Sequence, residues 1–292
     1  MTESAMSKAI GQWPAITKRA TSDRDQASPA SEQVQRRARA AVWHLAPWLL
    51  PAALFALWSI GCARGWIAPQ ILPPPQQVFD TLYDLAISGD LARNTLVSLQ
   101  RVLVGFGVGA LAGFFIGAAL GLSRTVEAYV LPAFNALVQI PVLGWLPFLL
   151  LLVGVGEPLK YILIAHAALV PVTLSTMQGV RNTPAALDEV ARVFGYNRFQ
   201  RVVHVVLPAA VPTLATGVRL AFTKAWLALV VVELVASSEG LGYLIVYGRQ
   251  LFQLDLVMAS VVIVGAIGFA INRALDALEA RLRRGQPSAF RE

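Results

Sequence analysis

The sequence contains six long apolar segments, which restrict the chain to folds that a lipid bilayer can hold. A helix needs about 20 apolar residues to cross the hydrocarbon core of a bilayer. The chain is 56% hydrophobic and 14% charged, whereas soluble domains average about 45–50% apolar and about 25% charged residues. This pattern predicts an all-α fold, a polytopic membrane helical bundle with about six transmembrane helices. The predicted spans are residues 45–63, 95–122, 128–153, 159–178, 213–236 and 252–272.

The distribution of polar residues divides the chain into two polar tails and one membrane domain between them. Residues 1–40 are polar, carry mixed charge and lack a long apolar run, so they are predicted to form a disordered cytoplasmic tail. They do not resemble a secretory signal, which has an apolar stretch soon after a short basic start. Residues 41–285 form the predicted transmembrane domain, and 286–292 are a short C-terminal tail.

The positive charge of the chain indicates an orientation in the membrane and not a nucleic-acid partner. Of the 24 lysines and arginines, seventeen lie in the two tails and the two loops that follow spans two and four, and four lie on the opposite side. Basic residues concentrate on the cytoplasmic side of membrane proteins. We therefore expect a multi-pass protein of the inner (plasma) membrane with both termini in the cytoplasm. The remaining three, Arg101, Arg219 and Lys224, fall within spans.

The cysteine and histidine content argues against a disulfide or a metal site. Cys62 is the single cysteine, and the three histidines are far apart in the sequence. Zinc sites need closely spaced Cys and His residues. No metal is expected.

The loop between spans four and five has the pattern of an amphipathic helix followed by a tight turn. Thr183-Pro184 is a plausible helix start, because proline is favoured at the first helical position. Asp188 and Glu189 come early, where the helix dipole favours anions. Gly195 is placed to end the helix in a left-handed conformation. The predicted apolar stripe of this helix consists of Leu187, Val190, Ala191 and Phe194.

A second short amphipathic helix follows the turn. Asn197 is a suitable N-terminal cap, and Pro208 is expected to end the helix before span five. Phe199, Val202, Val203 and Val206 repeat the helical spacing. The residues alone leave two interpretations open. The helix pair could lie on the membrane surface or on its own bundle, or it could insert into a cytoplasmic partner.

The same loop resembles the characteristic loop of importer-type ABC permeases. That family pattern is Glu-Ala-Ala, three residues, Gly, nine residues, then Ile, any residue, Leu-Pro. Here Glu189-Val190-Ala191, Gly195 and Val205-Val206-Leu207-Pro208 keep the spacing, with valine at two positions. The resemblance implies a permease of the type I ABC importer kind, whose loop 181–208 couples to an ATPase. The residues implied in coupling are Leu187, Asp188, Glu189, Val190, Ala191, Phe194, Gly195, Tyr196, Leu207 and Pro208.

Other stretches resemble the aliphatic sulfonate, taurine and nitrate branch of these permeases. They are Ser98-Leu99-Gln100-Arg101-Val102, Gln139-Ile140-Pro141-Val142, Trp145-Leu146-Pro147, and Glu233 with Ser238-Glu239-Gly240-Leu241-Gly242-Tyr243. The resemblance implies a transport subunit, not an enzyme, that imports a small anionic solute. It implies a pair of ATPase subunits, a second permease copy forming a homodimer, and an external (periplasmic) binding protein. The chain contains no G-x-x-x-x-G-K-[ST] phosphate loop, so ATP and Mg²⁺ are expected on the partner, with no cofactor on this chain.

Five residues are predicted to lie along the translocation pathway. Arg101 and Glu233 are ionisable groups in spans, where such groups usually face a partner or a cavity. They could pair, or Arg101 could attract an anion. Gln139, Pro141 and Trp145 lie in span three, which its prolines are expected to break, and Pro141 and Trp145 together with Phe148 could line a gate.

Span two has a glycine at every fourth position, and glycines so spaced let another helix approach closely. They are Gly105, Gly109, Gly113, Gly117 and Gly121. Packing within the chain is the favoured interpretation, and a dimer seam is the alternative.

Three other functional classes are alternatives to this interpretation. An amino-acid or phosphate importer of the same class differs only in its solute. A secondary transporter would need paired acidic residues near mid-membrane, and only Glu233 qualifies. A membrane-embedded enzyme would need a catalytic cluster of His, Asp, Glu or Ser, and no such spacing is present.

Overall fold

The structure is a computed structural model, and it describes residues 49–284. Every regular element in this range is helical. The helices are α1 (Leu49–Ala63), α2 (Pro75–Ser88), α3 (Asp90–Leu122), α4 (Arg124–Val138), α5 (Leu146–Val153), α6 (Glu157–Arg181), α7 (Ala185–Val193), α8 (Arg198–Arg201), α9 (Leu207–Ala236), α10 (Leu241–Gln250) and α11 (Leu254–Arg284). A 3₁₀ turn, Val142–Trp145, precedes α5, and a π-helical turn, Val202–Val206, joins α8 to α9.

The predicted all-α membrane bundle is confirmed by the length and composition of these helices. Four helical segments of the described chain are long and apolar enough to cross a membrane: α3, α6, the segment that contains α9, and α11. Helices α4 and α5 together form a fifth candidate that is bent by 85°, as the prolines of span three predict. The first predicted span corresponds to α1, which is shorter; its predicted start at residue 45 lies outside the described residues.

The glycines of α3 face α6, and they bring the two helices into backbone contact. A Cβ atom built on Gly109 would lie 2.1 Å from the carbonyl oxygen of Ala165. At Gly117, the same atom would lie 2.4 Å from the carbonyl oxygen of Thr173. No side chain fits between the helices at these positions. The seam is therefore occupied by a helix of the same chain, which agrees with packing within the chain and not with a dimer seam.

The main core lies where α6, α3 and α9 meet. Ile164 and Ala168 of α6 are fully buried, and they pack with Val102 of α3 and Ala221 of α9. Phe106 of α3 adds an edge-to-face contact with Phe222 of α9, with 5.2 Å between ring centroids. Helix α6 therefore packs one face against α3 and another face against α9. These two contacts fix the relative positions of the three helices.

The prediction that Pro208 ends the helix of the loop is wrong. Pro208 is the second residue of α9, and Pro212 lies inside that helix. A proline in a helix interior removes one hydrogen bond and clashes with the carbonyl four residues earlier. The π-helical turn just before Pro208 widens the backbone, with the Leu207 N–H donating to the Val202 carbonyl. The chain therefore turns from α8 into α9 without leaving helical structure.

Replacing Gly109 by alanine tests the α3–α6 contact. We expect Gly109→Ala to lower the stability of the protein in detergent by about 1–3 kcal/mol, because the added methyl group overpacks a closed contact. Gly107 is the matched control, since a Cβ there has no atom within 4 Å. The stability of both variants is measured by thermal unfolding, with circular dichroism as the signal. Equal stability of Gly109→Ala and Gly107→Ala would contradict this packing.

Candidate functional site

The loop between α6 and α9 folds into a compact helical hairpin, which we call the α7–α8 hairpin (residues 185–201). Helix α7 begins at Ala185, one residue later than predicted, with Pro184 as its N-cap. The motif residues from Leu187 to Ala191 lie in α7, and Phe194 caps its C-terminus. Leu207 and Pro208, the last two residues of the motif, begin α9. The motif therefore extends from the hairpin into a membrane span.

Gly195 ends α7 in the left-handed conformation that the sequence predicts. Its φ is +73°, a backbone conformation that glycine adopts at low cost. The Gly195 N–H donates to the Arg192 carbonyl at 3.0 Å, and the Tyr196 N–H donates to the Ala191 carbonyl at 3.0 Å. These two bonds form a Schellman motif. They reverse the chain sharply after α7.

Asn197 starts α8 with a reciprocal pair of hydrogen bonds to Gln200. The Gln200 N–H donates to Asn197 Oδ1 at 2.8 Å, and the Asn197 N–H donates to Gln200 Oε1 at 2.9 Å. This is a capping box. The predicted N-terminal cap at Asn197 is confirmed, and it lies two residues after Gly195.

Asp188 joins the two arms of the hairpin. Its carboxylate accepts from Arg192 at 2.6 Å within α7 and from Arg201 at 2.8 Å in α8. These guanidinium groups hold the pKa of the Asp188 carboxyl below its usual value, with the hydrogen bond from Arg192 as the largest cause. The sequence predicted a dipole role for Asp188 but missed Arg201, because that contact depends on the turn geometry.

Most of the apolar stripe of the hairpin does not pack on the described part of the chain. Ala191 is 3% exposed, but Val190 is 52%, Phe194 is 75% and Phe199 is 76% exposed. Leu187 and Val193 are also exposed, and so is Glu189. The hairpin is thus a turn, held by local hydrogen bonds, that carries an exposed apolar surface beside charged residues.

A second cluster surrounds Arg101, which is 4% exposed in α3. Its Nη1 donates to Glu233 Oε1 at 2.9 Å, which shows that the expected pair forms. Its Nε and Nη2 donate to the two carboxylate oxygens of Glu157 at 2.9 and 2.5 Å. Lys160 also contacts Glu157, at 2.7 Å. Two cations face two carboxylates, so the cluster has no net charge.

The loop between α9 and α10 closes over the carboxylate of Glu233, which is 1% exposed. The Ser98 hydroxyl and the Gly242 N–H both donate to Glu233 within 2.9 Å. Gly240 has a φ of +112°, and a Cβ there would lie 2.3 Å from Glu233 Oε1. The Gly240 N–H in turn donates to Asn94 Oδ1 at 2.7 Å. This packing accounts for the glycines in the stretch from Ser238 to Tyr243.

The break in span three borders a cavity of about 370 Å³. Gln139 ends α4 and is exposed, and Pro141 precedes the 3₁₀ turn and lines the cavity. Trp145 packs against the buried cluster of Leu159 and Leu163, with its ring centroid 6.1 Å from that of His166. The five predicted pathway residues therefore fall into two groups, the ion cluster and the wall near this cavity. Their role in translocation stays a prediction.

The family comparison matches residues 108–284 to the model described as "Binding-protein-dependent transport system inner membrane component". The chain is 37% identical over 240 residues to the putative aliphatic sulfonates transport permease protein SsuC of Bacillus subtilis, covering 82% of this chain and 87% of the relative. It is 32% identical over 236 residues to the taurine transport system permease protein TauC of Escherichia coli, covering 79% and 86%.

Among solved structures, the chain resembles the inward-facing MetNI methionine ABC transporter, with a TM-score of 0.57. The match covers 68% of this chain and 98% of the other, at 20% sequence identity. At this identity the likeness concerns the fold. It confirms the importer-type helical arrangement that the resemblance of the loop implied.

Replacing Arg101 tests whether the ion cluster holds the bundle together. We expect Arg101→Met to destabilise the protein by about 3–5 kcal/mol, because it leaves Glu233 buried without a counter-charge. The control is Arg93→Met, which breaks the Arg93–Glu239 pair, whose side chains are 69% and 42% exposed; such pairs contribute about 0–1 kcal/mol. Thermal unfolding in detergent compares the stability of Arg101→Met with that of Arg93→Met. Similar small losses in both variants would show that the cluster is not structural.

Proposed function

Since the chain belongs to the family of binding-protein-dependent transport system inner membrane components, we propose that it imports an aliphatic sulfonate, taurine or a nitrate-like anion. The chain is the permease subunit of an ABC importer, a transport subunit embedded in the inner membrane with its ATPase on another polypeptide. The proposed solute class is supported by relatives whose names specify aliphatic sulfonates and taurine. The methionine transporter is only 20% identical and gives no comparable support for an amino acid.

The observation that supports docking of a separate ATPase subunit is the exposed apolar surface of the α7–α8 hairpin. A soluble surface rarely keeps several large apolar side chains together unless a partner covers them. Here they are held by a glycine turn, a capping box and the Asp188 bridge, so little conformational entropy remains to be lost on docking. In this proposal the partner is the ATPase subunit, and ATP and Mg²⁺ bind there.

The direct connection from α8 into α9 supports a mechanical role for this contact. The π-helical turn at Val202–Val206 keeps the chain helical between them. A helix transmits displacement with little compression, since each residue is hydrogen-bonded to its neighbours along the axis. ATP-driven closure of two ATPases would then shift α9 in each of two permease copies.

The proposed orientation places both termini and the hairpin in the cytoplasm. The excess of basic residues on that side supports it. The external side would then receive the solute from a periplasmic binding protein. Two copies of this chain would enclose the pathway as a homodimer in the lipid bilayer.

Uptake in proteoliposomes tests the solute and the energy source together. We expect ATP-dependent uptake of radiolabelled taurine or propanesulfonate when the permease is reconstituted with its ATPase and binding protein. An ATPase variant unable to hydrolyse ATP should reduce uptake to the background of empty vesicles. Unlabelled methionine and phosphate should not compete, and competition by either would favour the alternative branch. ATP-independent uptake driven by a proton or sodium gradient would contradict the proposal.

Replacing Phe194 tests the docking surface. We expect Phe194→Ser to weaken ATPase binding at least about tenfold, because buried aromatic side chains dominate the binding energy of interfaces. The control is Phe252→Ser, which removes an equally large side chain that is 92% exposed in the loop before α11. Copurification from detergent at several ATPase concentrations gives the affinities. ATPase retention by Phe194→Ser at the wild-type level would exclude this surface as the docking site.

A further inference from the structure

Lys224 is a cation near the middle of α9 that the buried ion cluster does not include. An ionisable side chain within a membrane span is costly, and it usually faces a partner or a water-accessible cavity. Lys224 is exposed on α9 between the buried residues Phe222 and Trp226. In the structure Lys224 lies beside a cavity.

The other cations of the three central spans all have acidic partners. These pairs are Arg93 with Glu239, Arg101 with Glu157 and Glu233, Lys160 with Glu157, Arg181 with Glu127, and Arg219 with Asp276 and Glu279. Within residues 49–284, Lys224 alone among the lysines and arginines of α3, α6 and α9 has no carboxylate within ion-pair distance. Its positive charge is thus uncompensated by the described chain.

The cavity that Lys224 lines has a volume of about 370 Å³, within the range of small-molecule sites. Its walls come from the break in span three, α6 and α9, and they are apolar at Ile140, Val170 and Leu227. Among the described side chains that line it, Lys224 is the only charged one. A small molecule with one anionic end and an apolar body matches this lining.

His166 adds a second polar group to the same cavity. Both of its ring nitrogens are buried, and neither has a hydrogen-bond partner in the described part of the chain. A neutral imidazole has one donor and one acceptor, and an ammonium group has three donors. Buried polar groups usually have partners. The cavity wall therefore carries one exposed ammonium group and one imidazole whose nitrogens have no partner among the described residues, which suits a ligand with a polar end.

We infer that this cavity is a binding subsite for the anionic head group of the transported solute, with Lys224 as its counter-charge and the His166 ring as part of its wall. The inference rests on the proposed import function and adds the residues that recognise the solute within the membrane. The alkyl portion of a sulfonate would contact Ile140 and Leu227. A single ammonium group suits a transit site, because a permeating ion must bind well enough to enter and weakly enough to leave.

Uptake by reconstituted variants tests this subsite. We expect Lys224→Gln to lower the initial rate of propanesulfonate uptake at least about tenfold, because it removes the charge-assisted hydrogen bond to the anion. Lys224→Arg should restore most of the rate, since it restores the charge. The matched control is Arg249→Gln, which removes one exposed positive charge away from the cavity and should keep wild-type uptake. Uptake by Lys224→Gln at the wild-type rate would overturn the inference.

Assembly must be measured on the same variants, because Lys224 could instead pair with an acidic residue of a second copy. We expect Lys224→Gln to elute as the intact complex in size-exclusion chromatography and to unfold at the wild-type temperature. Dissociation of the permease pair in Lys224→Gln would assign Lys224 to the interface and overturn the subsite.

A labelling experiment separates this inference from the proposed function. In a Cys62→Ser background, His166→Cys should react faster with an anionic sulfonatoethyl thiosulfonate reagent than with a cationic trimethylammonium analogue. Adding Lys224→Gln should remove that preference. If the wild-type complex failed to import sulfonates but the Lys224-dependent preference remained, the sulfonate assignment would fail and the anion subsite would stand. Equal labelling by both reagents with Lys224 present would overturn the subsite itself.

Discussion

The backbone contact between α3 and α6 sets the geometry on which the other features depend. Because the glycines of α3 bring no side chain to this contact, the two helices approach until Cβ atoms would collide with carbonyl oxygens. At this separation Arg101 of α3 reaches Glu157 at the start of α6 and Glu233 of α9. The same position of α6 presents His166 to the cavity. A wider spacing would leave the ion cluster unpaired in a medium where an unpaired charge is expensive.

Helix α9 connects the two ends of the proposed mechanism. It begins directly after the hairpin, carries Lys224 near its middle and ends beside Glu233. A displacement received by the hairpin would therefore pass from α8 to the cavity wall through continuous helical backbone. The ion cluster at the other end of α9 fixes Glu233 through Arg101 and the backbone of Gly242. The cluster therefore anchors the end of α9 that lies opposite the hairpin.

Sequence patterns predicted the features that depend on neighbouring residues. Hydropathy located the spans, and local rules predicted the left-handed Gly195 and the cap at Asn197, because each is decided within about six residues. Contacts between distant segments were predicted less well. Arg101 and Glu233 could be matched because both lie within predicted spans, but Glu157 could not, since it lies between two predicted spans. The helical path through Pro208 was missed because a π-helical turn has no reliable sequence signal.

Two of the intramembrane cations, Arg101 and Lys224, show why residue type alone is a weak guide to an anion site. Arg101 was a candidate to attract an anion, as the alternative to pairing with Glu233, because a planar guanidinium matches an oxyanion well. In the structure, two carboxylates already occupy its donors, and Lys160 completes a neutral cluster. A cation attracts an anionic solute only if neighbouring carboxylates do not already neutralise it. In a low-dielectric environment, an unneutralised charge attracts an anion strongly. By that criterion Lys224, with no carboxylate nearby among the described residues, is the better placed of the two to attract the solute.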